Sequence, residues 1–257
     1  MNKTVPILLA SLITSILLVW YLATKSTHSQ TWTTQNQNVL IVGTNAEYAP
    51  FSFMENNNIT GFDVDLINEV ATGLGKTIEI KDMPFDALVP ALQTGTIHLI
   101  AAGITPTPER AQKALFTKPY LVGDPLVIVS NATNPLTSLK QLTGKTVAVN
   151  EGYTADYYMS SIIGPQLIHF AAPLESFMAL DSGRVDALVA TQNTVAPFLE
   201  HYGSAKFVAT PIPNTNDEYA LAISKRFPEL LEPIQNALDT IKRDGTLESL
   251  KKKWKLH

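Results

Sequence analysis

The sequence predicts an α/β fold built as two similar lobes around a cleft. Past residue 38, short apolar runs alternate with segments of helical spacing, as packed strands and helices require. One motif also occurs twice, as Leu92-Gln-Thr-Gly-Thr-Ile-His-Leu-Ile100 and as Leu180-Asp-Ser-Gly-Arg-Val-Asp-Ala-Leu188. In both copies a helix stops at a glycine and a buried strand starts at once, the pattern of a left-handed helix cap leading into a core strand. The pattern changes after Tyr120, where a new strand opens the second unit. Clefts between such units are favoured places for small ligands.

In chain order, the run 39–42 reads as a short buried strand, and 62–74 as a helix with Val64, Leu66, Ile67, Val70, Ala71 and Leu74 on one stripe. Residues 78–80 form a strand, 86–93 a helix and 97–102 a strand, followed by a Thr- and Pro-rich loop and a helix starting near Pro108. The second unit begins with a strand at 125–130. A short helix at 137–142, a strand at 146–149, a helix opening near Thr154, a helix at 174–182 and a strand at 185–190 follow. The Pro- and Asn-rich stretch 211–216 separates these from a strand at 219–224 and two closing helices, 228–243 and 246–254.

The chain is long enough to bury one large core or two modest ones, and 45% apolar residues with 16% charged exclude a disordered chain. The absence of cysteine excludes disulfides, thiolate chemistry and a lipid-anchored cysteine. Lys3 precedes an apolar, uncharged run from residue 5 to 23, followed by a polar spacer, 26–38. That arrangement is an export signal, either cleaved or kept as a membrane anchor, so residues 1–25 are set apart from the fold. Without them the net charge is −6, which argues against a nucleic-acid partner. The basic cluster at 251–255 suits the last turn of a helix.

Several chemical motifs fail. Gly75-Lys-Thr77 and Gly144-Lys-Thr146 lack the upstream glycine of a phosphate loop, having Val70 and Leu139 in its place. The five histidines show no metal-ligand spacing, and no Gly-x-Ser-x-Gly occurs. Asn58-Ile-Thr60 and Asn131-Ala-Thr133 match glycosylation sequons, a frequent chance pattern. No metal, cofactor or catalytic residue is expected.

Arg110 stands out. No formally charged side chain precedes it from Ala87 to Pro108, except that Glu109 sits beside it, and it lies just inside the helix after Thr105 and Thr107. A guanidinium there offers a planar fork that fits the two oxygens of a carboxylate.

The segments Gly43-Thr-Asn-Ala-Glu-Tyr-Ala-Pro-Phe51 and Gly61-Phe-Asp-Val-Asp-Leu66 resemble those of the periplasmic amino-acid-binding proteins of ABC importers, solute-binding protein family 3. The resemblance continues through Phe85-Asp-Ala-Leu-Val-Pro-Ala-Leu92, 105–110, Phe116-Thr-Lys-Pro-Tyr120 and Asp244-Gly-Thr-Leu247, in family order. It implies a type II periplasmic-binding-protein fold with two hinge strands. Lobe 1 would span 39–122 plus 216–257, and lobe 2 123–215. By the same resemblance, Arg110 and Thr105 hold the ligand α-carboxylate and backbone, and the Gly103 carbonyl accepts from the α-ammonium. The backbone N–H of Thr154 meets the carboxylate at a helix N-terminus.

Tyr48 and Phe85 fall where two aromatic rings sandwich the cationic side chain in lysine/arginine/ornithine binders. Asn45 stands where such binders often have Asp, and Glu47 lies beside it. A delocalised guanidinium tolerates uncharged acceptors better than an ammonium, so L-arginine is expected ahead of lysine or ornithine. One departure is Thr191, where the resemblance implies an Asp for the α-ammonium. Hydroxyls, carbonyls and Gln192 are the substitutes expected. The function implied is an exported, periplasmic, monomeric binding protein that closes on its ligand and delivers it to an ABC permease in the inner membrane. The alternative is a cyclohexadienyl-dehydratase-like enzyme on the same fold, with Glu47 as its acid.

Overall fold

The computed structural model describes residues 38–203 and 205–256. The expected export signal at 1–25 and most of the spacer lie outside the described residues. Among these no helix is long and apolar enough to cross a membrane.

The first lobe starts with β1 (Val39–Thr44), β2 (Glu47–Tyr48), β3 (Ser52–Glu55) and β4 (Asn58–Thr60). It continues with α1 (Phe62–Gly73), β5 (Thr77–Asp82), α2 (Phe85–Thr94), β6 (Leu99–Ile100), α3 (Pro108–Lys113) and β7 (Leu115–Phe116). After β8 (Leu121–Asp124) the chain enters the second sheet through β9 (Leu126–Asn131). There it forms β10 (Thr146–Asn150), α4 (Thr154–Ser160), β11 (Gln166–Phe170), α5 (Pro173–Asp181), β12 (Ala187–Thr191), α6 (Gln192–Tyr202) and β13 (Phe207–Pro211). It returns by β14 (Asp217–Tyr219) to β15 (Ala222–Ile223), then α7 (Leu231–Arg243) and α8 (Thr246–Lys253).

Two five-stranded sheets result, in the orders β5-β1-β6-β15-β7 and β11-β10-β12-β9-β13. Each has a parallel set at one side, because a helix returns the chain between its strands, and antiparallel strands at the other. The two crossings between sheets, β8 and β14, pair antiparallel with each other, and Asp124 lies opposite Asp217 in that ladder. Each sheet has its own buried core. Leu88, Leu92, Ile97 and Ile100 anchor one. Val129, Phe177, Leu188 and Phe207 anchor one face of the other.

The repeated motif behaves as its spacing requires. Gly95 ends α2 with φ +78°, and Gly183 follows α5 with φ +74°, a left-handed conformation that glycine adopts without a Cβ penalty. Other expectations need correction. The strand predicted at 97–102 is ladder-paired only over Leu99–Ile100, and the one at 219–224 is split between β14 and β15. The predicted helix at 137–142 is a single 3₁₀ turn, Leu139–Leu142, and the helix predicted from 228 begins with another, Pro228–Leu230.

Candidate functional site

Arg110 is positioned by its own loop. The Thr107 hydroxyl accepts the Arg110 backbone N–H at 3.3 Å and caps α3, with Pro108 at the first helical position. Its side chain turns inward and is only 7% exposed. One guanidinium nitrogen donates to the Thr105 carbonyl at 2.9 Å, and the other to the Gly152 carbonyl of the second lobe at 2.8 Å. The Phe85 ring lies against it, 5.2 Å from ring centre to the guanidinium carbon. Burial lowers its pKa, while the fields of Tyr157 and Asp217 act in the opposite sense. An arginine held this way is a buried cation bridging two lobes.

Thr105, Arg110 and Thr154 come together around a carboxylate of the chain itself, and it is the Thr154 hydroxyl that is engaged there. The Thr154 hydroxyl donates to Asp217 in a short hydrogen bond, and Thr105 and Arg110 lie close enough to favour its charged form. Burial still prevails and pushes Asp217 up to about 6, with Asp124 across the ladder adding to the rise. Two pockets flank Arg110. One of about 170 Å³ is lined by Phe85, Asp86, Val89 and Tyr157, and another of about 240 Å³ by Thr154, Tyr158 and Asp217.

The aromatic end contains a third ring. Tyr48 and Phe85 are both buried, and Tyr153, the residue before α4, touches each of them. It meets Tyr48 edge-on with ring centres 5.4 Å apart and packs tilted against Phe85 at 4.4 Å. Its hydroxyl donates to the side-chain oxygen of Asn45 at 3.3 Å, while the Asn45 amide nitrogen donates to the Met83 carbonyl. Asn45 is thus buried and engaged, whereas Glu47 is exposed at the rim. Sequence reasoning missed Tyr153. Its only signal was an aromatic directly before the helix-opening Thr154.

Gly103 lies beneath Tyr48 with φ +55°, and a Cβ added there would stand 2.6 Å from the Tyr48 ring. Its N–H donates to Asp63 at 2.5 Å, and the other Asp63 oxygen accepts the Tyr120 hydroxyl at 2.7 Å. Full burial pushes Asp63 up to about 7, against the lowering effect of these two hydrogen bonds. Asp63 therefore sets the Gly103 loop from behind.

Thr191 ends β12 inside a network of hydroxyls. It shares a 2.6 Å hydrogen bond with Thr194, and the Thr194 hydroxyl donates to Tyr48 across the cleft at 3.0 Å. Tyr219 donates to Asp124 at 2.6 Å and lies 3.3 Å from the Thr191 hydroxyl. Gln192, expected as a substitute acceptor, is exposed and takes no part. The residues that turn inward are Asn193 and Thr194, because α6 begins at Gln192 and rotates it outward.

Two α/β sheets joined by a pair of antiparallel strands, with a buried arginine and a cluster of aromatic rings where the lobes meet, make up the two-lobed periplasmic-binding-protein fold. Residues 40–257 match the family described as bacterial extracellular solute-binding proteins, family 3, and the chain belongs to that family. Among its relatives, the arginine-binding extracellular protein ArtP of Bacillus subtilis is 31% identical over 218 residues, 84% of this chain and 85% of its own. A probable histidine-binding protein of Campylobacter jejuni is 32% identical over the same length and shares. The structure of an ancestral arginine-binding protein bound to arginine superposes with a TM-score of 0.80 at 35% identity, covering 85% of this chain and 98% of that one.

Proposed function

We propose that this protein is the extracytoplasmic solute-binding component of an amino-acid ABC importer. It binds a basic amino acid, arginine in preference to lysine or ornithine, by hinge closure, and presents it to a membrane permease. The observation that carries this reading is the buried Arg110 fork beside Phe85, with Thr105 and Thr154 converging on the same point. Those groups suit a carboxylate. The rings of Tyr48, Tyr153 and Phe85 suit a delocalised cation at the other end of the same molecule. The relatives named for arginine support the same choice of ligand.

The lobes in this reading are 39–122 plus 216–257, and 123–215, with β8 and β14 as the hinge. The ligand docks on the first lobe through Asn45, Tyr48, Phe85, Gly103, Thr105 and Arg110, with Glu47 at the rim. The second lobe adds Thr154 and Thr191 and excludes water. Only the closed form makes both sets of contacts, so ligand shifts the population toward closure. The protein acts as a monomer, needs no cofactor and performs no chemistry. Calorimetric titration of the purified protein with the common amino acids tests this. Arginine is expected to bind more tightly than lysine and ornithine. No heat with any basic amino acid would overturn the choice of ligand, and no heat with any amino acid would overturn the function.

A further inference from the structure

We infer that Asp124, on the hinge strand β8, is the carboxylate that pairs with the α-ammonium of the bound amino acid, taking over a charge that the end of β12 lacks. The inference rests on the binding function proposed above and names a residue that function leaves open.

The register explains the placement. Thr191 pairs with Leu126 in the antiparallel β12–β9 ladder, and the Gln192 N–H donates to the Pro125 carbonyl at 2.9 Å. One further step brings Asn193 beside Asp124, where its N–H donates to the Asp124 carboxylate at 3.0 Å. The carboxylate therefore stands near the Thr191 hydroxyl, and the Tyr219 hydroxyl lies within reach of both. Asp124, the last residue of β8, is separated from β9 by Pro125 alone and so lies beside the end of β12.

The chemistry agrees. Asp124 is 1% exposed, and none of the ion pairs among the described residues includes it. Its hydrogen-bond partners are the Tyr219 hydroxyl and the Asn193 backbone N–H, both neutral. The other buried acid of the hinge, Asp217, already lies beside the Arg110 cation. Burial keeps the phenols of the neighbouring Tyr48 and Tyr219 neutral, and it disfavours the charged form of Asp124 as long as no cation stands beside it. In the cluster of Tyr48, Thr191, Thr194 and Tyr219, Asp124 is thus the one group able to carry a full negative charge. A buried ammonium requires such a partner, and a buried carboxylate requires a cation.

The test pairs L-arginine with 5-guanidinopentanoate, which keeps the carboxylate and guanidinium but lacks the α-amine. Removing the charge from a desolvated ion pair weakens binding by about 100-fold. Asp124→Asn is therefore expected to lose about that factor for L-arginine and to bind 5-guanidinopentanoate within about 3-fold of the wild-type protein. Asp124→Ser combined with Thr191→Asp is expected to recover most of the L-arginine affinity, which covers the case of a single variant that does not fold. Equal losses for both ligands in a folded Asp124→Asn protein, or no loss for either, would overturn the assignment while leaving the binding function standing. So would failure of a folded double variant to recover affinity. A wild-type protein that binds no amino acid would instead overturn the binding function, and this assignment with it.

Discussion

Tyr153 packs against Phe85 with ring centres 4.4 Å apart, although the two residues belong to different lobes. Tyr153 also meets Tyr48 edge-on and donates its hydroxyl to Asn45. The aromatic wall is therefore completed only when the lobes meet. Replacing Tyr153 by Leu removes one ring while keeping most of the apolar volume. Cation–π attraction of about 1–2 kcal/mol at a desolvated site corresponds to a roughly 5–30-fold loss of arginine affinity by calorimetry. Phe85→Leu is expected to behave alike. Unchanged affinity in both variants would make these rings packing residues and nothing more.

Arg110 supplies a fork to two carbonyls on opposite sides of the cleft, those of Thr105 and Gly152. Lysine is a point charge and cannot serve both in a planar array. Arg110→Lys is expected to weaken amino-acid binding by about 100-fold or more, and Arg110→Ala to abolish it, with circular dichroism showing a folded protein in each case. Near-native affinity in either variant would place Arg110 outside the ligand site.

Gly103 combines φ +55° with a near neighbour, the Tyr48 ring, 2.6 Å from where a Cβ would be. An alanine would impose left-handed strain and displace a ring of the pocket at once. Gly103→Ala should destabilise the fold by about 1–3 kcal/mol and weaken ligand binding as well. Thermal denaturation and titration of one sample would read both effects. A variant as stable as the parent would show that the loop can re-form without this contact.

Three buried carboxyls lie above their ordinary range, Asp63 at about 7, Asp217 at about 6 and Asp124 raised as well, in each case chiefly because burial disfavours the charged form. A carboxyl raised on folding stabilises the native state when protonated, and that stability is lost as pH rises through its folded value. Lowering the pH from 8 toward 5 should therefore raise the melting temperature. The lowered carboxyls, Glu109, Asp186 and Asp244, remain ionised in this window, and His98, whose pKa burial lowers, is among the described residues the one shifted group that opposes the trend as pH falls below 6.5. Even ~1–2 kcal/mol from these groups moves the midpoint by roughly 3–8 °C. Asp63→Asn should flatten the profile mainly between pH 5 and 7, below its folded value of about 7. A melting temperature that falls steadily over the range would contradict this account.

Much of the fold is legible in the sequence because its signals are local. The stripe through Leu66, Ile67 and Val70, the glycine stops at Gly95 and Gly183, and the Thr107-Pro108 helix start each depend on a few neighbouring residues. The hairpin of β3 and β4 carries a local signal too. Its two-residue turn, Asn56-Asn57, carries φ values of +50° and +62°, which asparagine tolerates better than most residues. Helix α6 follows β12 with no intervening loop and no side-chain cap hydrogen bond, so no local signal marks its start.

Sequence alone determined the alternating α/β pattern, the two units and the residue types suited to a small zwitterion, Arg110, Tyr48 and Phe85 among them. Tertiary structure decided what these residues face. Asp217 beside Arg110, Tyr153 between Tyr48 and Phe85, and Asp124 next to Thr191 join positions far apart in the chain. Periodicity reports which side of an element is apolar, because that depends on neighbours a few residues away. Which charge stands opposite which is set by strand register and lobe docking, and these depend on the whole chain.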